Sequence, residues 1–278
     1  MMNRTNNITP YNRRTTMAEE LRISMIQSHI IWEDQEENLC YYGELLRRVS
    51  GRTDLAVLPE TFTTGFSMER VSELAEPMEG RTIATVKEWA SKYKMAVMGS
   101  FLCKEDDHYF NRAFFITPEG EVTTYDKHHL FRMADEHNYF TPGDKQTIVE
   151  YKGWKICLQV CYDLRFPVWV RNVDNKYDLL IYIANWPEPR KKAWKTLLQA
   201  RAIENMAYVC GVNRVGVDGK GLTYRGDSMV IDPKGKKIAT AGKREEITRT
   251  CVIKKSELET FREKFPAWKD ADKFQLEG

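Results

Sequence analysis

Trp154-Lys155-Ile156-Cys157-Leu158-Gln159-Val160-Cys161-Tyr162-Asp163-Leu164-Arg165-Phe166-Pro167 decides how this chain is read. Ile156, Leu158 and Val160 alternate with their neighbours, the two-residue period of a strand facing a core. Cys161 stands directly at the strand's end. Further on, residues 178–184 form an apolar run closed by Asn185-Trp186-Pro187. Residues 191–206 carry Trp194, Leu197, Leu198, Ala202 and Ile203 at helical spacing, which predicts an amphipathic helix with those side chains buried. Strands are expected at 208–213 and 228–232, ahead of the turn Asp232-Pro233-Lys234-Gly235.

Toward the other end, residues 95–101 and 109–116 read as strands, followed by the turn Pro118-Glu119-Gly120-Glu121. Residues 82–94 read as a helix with Ile83, Val86, Trp89 and Ala90 inward. Residues 55–58 read as a short buried strand ending at Pro59-Glu60. Residues 36–49 read as a helix with Leu39, Tyr42, Leu45 and Leu46 on one face, and 21–26 as a half-buried strand. The alternation predicts an α/β fold with mixed sheets and helices outside, in a single domain over 17–278. Residues 1–16 hold Arg4, Arg13 and Arg14 and no acid. They are expected to be a disordered N-terminal extension, or to lie upstream of a functional start at Met17. Residues 261–276 lack clear periodicity, yet Phe261, Phe265 and Trp268 need cover from the body or a partner subunit.

Composition narrows the function. The chain has 278 residues, and its 42 basic and 40 acidic side chains nearly cancel. That balance predicts no nucleic-acid footprint and no basic stripe for an anionic membrane. No apolar run approaches the length of a bilayer span. The six cysteines form no Cys-x-x-Cys pair, and no His cluster has zinc spacing, so no metal is expected. Cys157 and Cys210 sit in apolar segments, as buried hydrophobes do. A reduced, cytoplasmic protein is the expectation.

In three segments an ionisable residue directly follows a strand or turn: Leu58-Pro59-Glu60, Tyr125-Asp126-Lys127-His128 and Val160-Cys161-Tyr162. Strand ends are where α/β folds present reactive groups on rigid backbone. A thiol needs a base to become a thiolate, and the oxyanion formed by its attack needs a cation or N–H donors. Pattern alone leaves a second reading open, a structural Glu60–Lys127 ion pair beside one more buried cysteine.

Leu58-Pro59-Glu60-Thr61-Phe62, Tyr125-Asp126-Lys127-His128-His129-Leu130-Phe131 and Cys161-Tyr162-Asp163-Leu164-Arg165-Phe166-Pro167 resemble, in order, the three signature segments of the nitrilase (carbon–nitrogen hydrolase) superfamily. The resemblance runs from about Leu21 to the C-terminus. It implies an α-β-β-α four-layer sandwich, commonly assembled as homodimers or higher homo-oligomers. It also implies a Glu60–Lys127–Cys161 triad, with Glu136 as a further family glutamate. Glu60 is then the general base, Cys161 the nucleophile, and Lys127 with the Tyr162 backbone N–H the oxyanion donors. Glu136 is expected to orient Lys127 or the incoming amide.

Asn185-Trp186-Pro187-Glu188-Pro189-Arg190, residues 193–205 and the ending 262–268 resemble the ω-amidase branch, which deamidates dicarboxylate monoamides such as 2-oxoglutaramate and 2-oxosuccinamate. A substrate carboxylate suits a guanidinium fork. Arg190 is the candidate clamp and Trp186 the candidate wall; Arg165 is an alternative clamp, though a motif shared with relatives of other substrates favours a structural salt bridge for it. The adjacent His128 and His129 are expected to face opposite sides, a poor metal pair. Asp218-Gly219-Lys220-Gly221 is expected to form a hairpin turn in place of a phosphate loop. No cofactor is implied; the expected partners are a small amide and water. The competing expectations are an N-carbamoyl or other aliphatic amide hydrolase of the same fold, and a non-catalytic binding protein that kept the fold.

Overall fold

The computed structural model describes residues 19–272 and 274–276; the expectations for residues 1–16 and for Met17 lie outside them. Strand β1 (Glu20–Gln27), helix α1 (Gln35–Val49), strand β2 (Leu55–Val57), the single turn α2 (Val71–Leu74), helix α3 (Arg81–Tyr93) and strands β3 (Ala96–Glu105), β4 (His108–Ile116) and β5 (Val122–Asp126) come first. Then follow β6 (Ile148–Tyr151), β7 (Trp154–Val160), β8 (Leu179–Ala184), α4 (Lys191–Asn205) and β9 (Tyr208–Asn213). The hairpin β10 (Val215–Val217) and β11 (Thr223–Arg225), strands β12 (Met229–Ile231), β13 (Lys237–Thr240) and β14 (Ile247–Lys254), and helix α5 (Lys255–Lys264) complete the chain.

Two six-stranded sheets result, ordered β14-β1-β2-β3-β4-β5 and β13-β12-β9-β8-β7-β6. Ile23, Met25, Val57 and Phe115 of the first sheet share one core with Ile156, Leu158 and Ile181 of the second, so the sheets pack face to face. On the first sheet's other face, Ala56, Val97 and Phe114 pack with Leu39, Tyr42 and Leu46 of α1 and Val86 of α3. Helix α4 covers the second sheet so closely that a side chain at Gly211 would collide with Leu198. The layers are helix, sheet, sheet, helix: the expected four-layer sandwich.

In each sheet a parallel trio, β1-β2-β3 and β7-β8-β9, directs its C-terminal ends to one place. Strand β5 is antiparallel to β4, itself antiparallel to β3, so its end points the same way. Glu60, Lys127, Cys161 and Asn185 all follow those ends.

Helix α4 departs from its expected face. Trp194, Leu198 and Ala202 are buried, but Ile203 is half-exposed and Leu197 only partly covered. Arg201 and Asn205 take the inward positions, because the loop after Cys161 offers polar groups there. Arg201 Nη2 donates to the Leu164 carbonyl at 2.6 Å, and Asn205 Oδ1 accepts from Asn172 N at 2.9 Å. The C-terminal stretch begins as helix α5, with Leu258 and Arg262 buried. Arg262 Nη1 donates to Asp178 at 2.9 Å, tying the helix to the foot of β8. Phe265 remains 59% exposed, so among the described residues the body does not cover it.

Candidate active site

The floor of the site is a buried charge cluster. Lys127 Nζ donates to Glu60 Oε1 at 3.1 Å and to Glu136 Oε1 at 2.8 Å, all three side chains being at most 1% exposed. Strand β3 places Glu60 through Ser100, whose Oγ accepts from Thr61 N at 2.8 Å and whose carbonyl accepts from Phe62 N at 3.1 Å. The backbone of Lys127 donates to the Asn111 carbonyl at 3.1 Å. Glu136, in a 3-10 turn, uses Oε2 to accept from Phe131 N at 2.6 Å.

Cys161 follows β7 with φ +45°. A side chain in the left-handed region costs about 1–2 kcal/mol, a strain that concentrates where function fixes the backbone. Asp163 holds the turn in place. Its Oδ2 accepts from Val160 N at 3.0 Å and Tyr125 Oη at 2.9 Å, and its Oδ1 from His129 N at 2.9 Å. One buried carboxylate thus ties the cysteine turn to the segment carrying Lys127. Cys161 opens a 3-10 turn, Cys161–Arg165, whose first N–H groups have no partner inside the turn; Tyr162 supplies one of them.

Burial raises the Cys161 thiol well above its ordinary range, and the nearby Glu60 charge and its hydrogen bond add to this against the opposing pull of Lys127. A thiol held in this way must lose its proton before it can act as a nucleophile. Burial opposes the Lys127 charge, yet Glu136 and Glu60 together hold its pKa above the lysine range. Burial, partly offset by Lys127, raises Glu136. A fixed cation, a base and a thiol at strand ends can carry acyl transfer.

Above the floor opens a cleft of about 330 Å³, lined by Cys161, Tyr162, Trp186 and Arg190 among others. That volume suits a small molecule. Trp186 is both core and wall. It packs on Trp194 at 5.6 Å, and its Nε1 donates to the Arg190 carbonyl at 2.9 Å. The Arg190 guanidinium lies 5.0 Å over the Phe131 ring. Arg165 is not in the structural salt bridge expected of it. It lines the cleft 5.1 Å over the Trp186 ring, and among the described residues neither it nor Arg190 has a carboxylate partner. The reasons are local: Asp163, the acid nearest Arg165 in sequence, accepts from Val160 N, Tyr125 Oη and His129 N, while Lys191, Arg225 and Arg244 share Glu188, the acid nearest Arg190.

Of the other expectations, Asp218-Gly219-Lys220-Gly221 does turn the β10–β11 hairpin, and Lys220 meets Glu69 at the cleft's mouth at 2.9 Å. His128 and His129 do not face opposite sides: they lie in a bend after β5 with their rings 4.5 Å apart, His128 stacked on Trp169 and His129 on Phe166, each pair 3.7 Å apart. Among the described residues no cluster has the makings of a metal site, and no helix is long and apolar enough to cross a membrane. Two site residues had no role in the sequence reading. Asn185 N donates to Glu60 Oε2 at 2.7 Å, and Asn111 Nδ2 to Glu60 Oε1 at 2.8 Å. Each had a weak signal: Asn185 ends an apolar run, and Asn111 interrupts one.

The carbon–nitrogen hydrolase family model matches residues 22–263, and the chain belongs to that family. It is 46% identical over 256 residues to omega-amidase YafV of Escherichia coli K12, covering 92% of this chain and 98% of that protein. It is 34% identical over 255 residues to 2-oxoglutaramate amidase of Bacillus subtilis, covering 90% and 97%. Among solved structures, XC1258 of Xanthomonas campestris, a CN-hydrolase superfamily protein, superposes with a TM-score of 0.91 at 44% identity, covering 94% of this chain and all of that one. Nit3 of Saccharomyces cerevisiae, a nitrilase-superfamily member, gives 0.82 at 25% identity, covering 90% and 96%.

Proposed function

We propose that this chain is an ω-amidase, hydrolysing the terminal amide of small dicarboxylate monoamides such as 2-oxoglutaramate and 2-oxosuccinamate to the acid and ammonia. The observation that carries the reading is one cleft holding both a thiol–carboxylate–lysine floor and two guanidiniums that have no carboxylate partner among the described residues. Its similarity to YafV and to the 2-oxoglutaramate amidase supports the same choice.

In this mechanism Glu60 takes the thiol proton as Cys161 attacks the amide carbon. Lys127 and the Tyr162 N–H hold the oxyanion, where a single donor is worth about 3–4 kcal/mol. The tetrahedral intermediate collapses, Glu60 returns the proton to the nitrogen, and ammonia leaves. Glu60 then activates water, which hydrolyses the thioester. Glu136 keeps Lys127 in place and charged. Arg190 or Arg165 receives the distant carboxylate, with Trp186 and Tyr162 walling the short carbon chain.

A panel of amides tests the assignment by ammonia release. The expected order is 2-oxo-dicarboxylate monoamides well ahead of uncharged aliphatic amides and N-carbamoyl compounds. Equal or reversed preference rejects the ω-amidase reading while leaving amidase chemistry intact.

A further inference from the structure

The two oxygens of Glu60 are not equivalent. Oε1 accepts from Lys127 Nζ at 3.1 Å and Asn111 Nδ2 at 2.8 Å, whereas Oε2 accepts from Asn185 N at 2.7 Å and only distantly, at 3.5 Å, from that residue's side chain. A carboxylate oxygen holding two good donors, one of them an ammonium, is the poorer proton acceptor. Asn111 sits on β4 with 1% of its surface exposed. It touches both partners of the floor, the Glu60 carboxylate through its side chain and the Lys127 backbone through its carbonyl. Its Oδ1 has no partner among the described residues, so the amide's one polar engagement there is with Glu60.

We propose that Asn111 is a positioning residue that decides which oxygen of the base works: by holding Oε1 together with Lys127, it leaves Oε2 to take the thiol proton. The proposal rests on Glu60 serving as base toward Cys161. In the attacking step the Cys161 S–H proton moves to Glu60 Oε2 as sulfur bonds to carbon. Asn111 keeps the carboxylate from turning and lowers the basicity of the oxygen not used. The ionisable groups facing Glu60 are Lys127, Cys161 and Glu136, with Tyr224 acting from the β10–β11 hairpin.

The test is alkylation of Cys161 by iodoacetamide as a function of pH, read by peptide mass because Cys40 is exposed and also reacts. Sulfur bonds to the methylene carbon, iodide leaves and Glu60 takes the proton, whatever the natural amide. Relative to the unsubstituted chain, Asn111→Leu is expected to alkylate at least about tenfold more slowly near neutrality. Its acid limb is expected to move up by about one pH unit, since the carboxylate loses a hydrogen-bond donor. Asn111→Asp, which keeps the side chain's shape, moves the limb further, because two adjoining carboxyls resist ionising together. Melting and near-ultraviolet circular dichroism establish that each variant is folded; if Asn111→Leu is not, Asn111→Asp decides. An unmoved acid limb in a folded variant, even with slower alkylation, overturns the proposal and leaves Asn111 a structural part. An unsubstituted chain that alkylates normally yet releases no ammonia from 2-oxo amides defeats the ω-amidase reading and leaves the role of Asn111 standing.

Discussion

Lys127 and Arg190 are cations of one cleft, and the fold treats them in opposite ways. Lys127 is sealed between two carboxylates, while Arg190 lies against an aromatic ring with no carboxylate partner among the described residues. Arg165 shares the second condition, on Trp186. The floor is thus electrostatically complete by itself, which suits the oxyanion role proposed for Lys127. The wall is incomplete, and under the proposed function an incoming carboxylate is the group that completes it. The proposed function assigns chemistry to the first region and choice of substrate to the second.

Breaking the floor carries the largest expected effect. Cys161→Ala should fold yet lose turnover by about 10⁴-fold or more, measured as ammonia release at saturating amide. Lys127→Ala should lose at least about 10²–10³-fold in kcat. Its melting temperature should also fall, because two buried carboxylates lose their cation; breaking a buried pair costs about 3–5 kcal/mol.

Breaking the wall should leave kcat for uncharged amides nearly untouched. Arg190→Ala and Arg165→Ala are each expected to raise KM for a carboxylate-bearing amide by about 10- to 100-fold. The larger loss identifies the residue that grips the carboxylate. A parallel loss on uncharged amides would mean that the guanidiniums support the floor instead.

The smallest effect lies away from the cleft, where a charge pair serves only folding. Burial works against the Asp54 charge, but hydrogen bonds from Arg22 and Lys152 bring its pKa down to about 2. A folded value below the unfolded one gives stability that is present above the unfolded carboxylate range and is lost as pH falls toward 2. Asp54→Asn should therefore lower the melting temperature slightly at neutral pH, and the gap should close on acidification.

The fold was legible because its strands are buried apolar runs and its helices keep strong stripes, as at Trp154–Val160 and in α3. What was not legible had been decided by tertiary partners. Strand β14 is mostly exposed at a sheet edge, so its sequence lacks alternation, and its place beside β1 comes from pairing across the whole chain. Ile203 follows the helical period yet faces outward, since Arg201 and Asn205 are drawn in by carbonyl and amide groups that a periodicity cannot anticipate. In the site, Glu60, Lys127, Glu136 and Cys161 were all readable from motifs, and the structure brings their segments together. The parts that aim them were hidden: Asn111, on β4, and Asn185, just past β8, reach Glu60 from 51 and 125 residues away. Arg165 was misread because its neighbour Asp163 is turned inward to backbone N–H groups and the Tyr125 hydroxyl, which the local sequence does not announce.

The most direct test of the account is the mass of Cys161 after rapid acid quench of turnover with 2-oxoglutaramate. The expected result is an acyl adduct on that residue alone, equal to the substrate less ammonia, absent with Cys161→Ala and lost as water completes the cycle. Ammonia release with no adduct on Cys161, or undiminished turnover by Cys161→Ala, would contradict it.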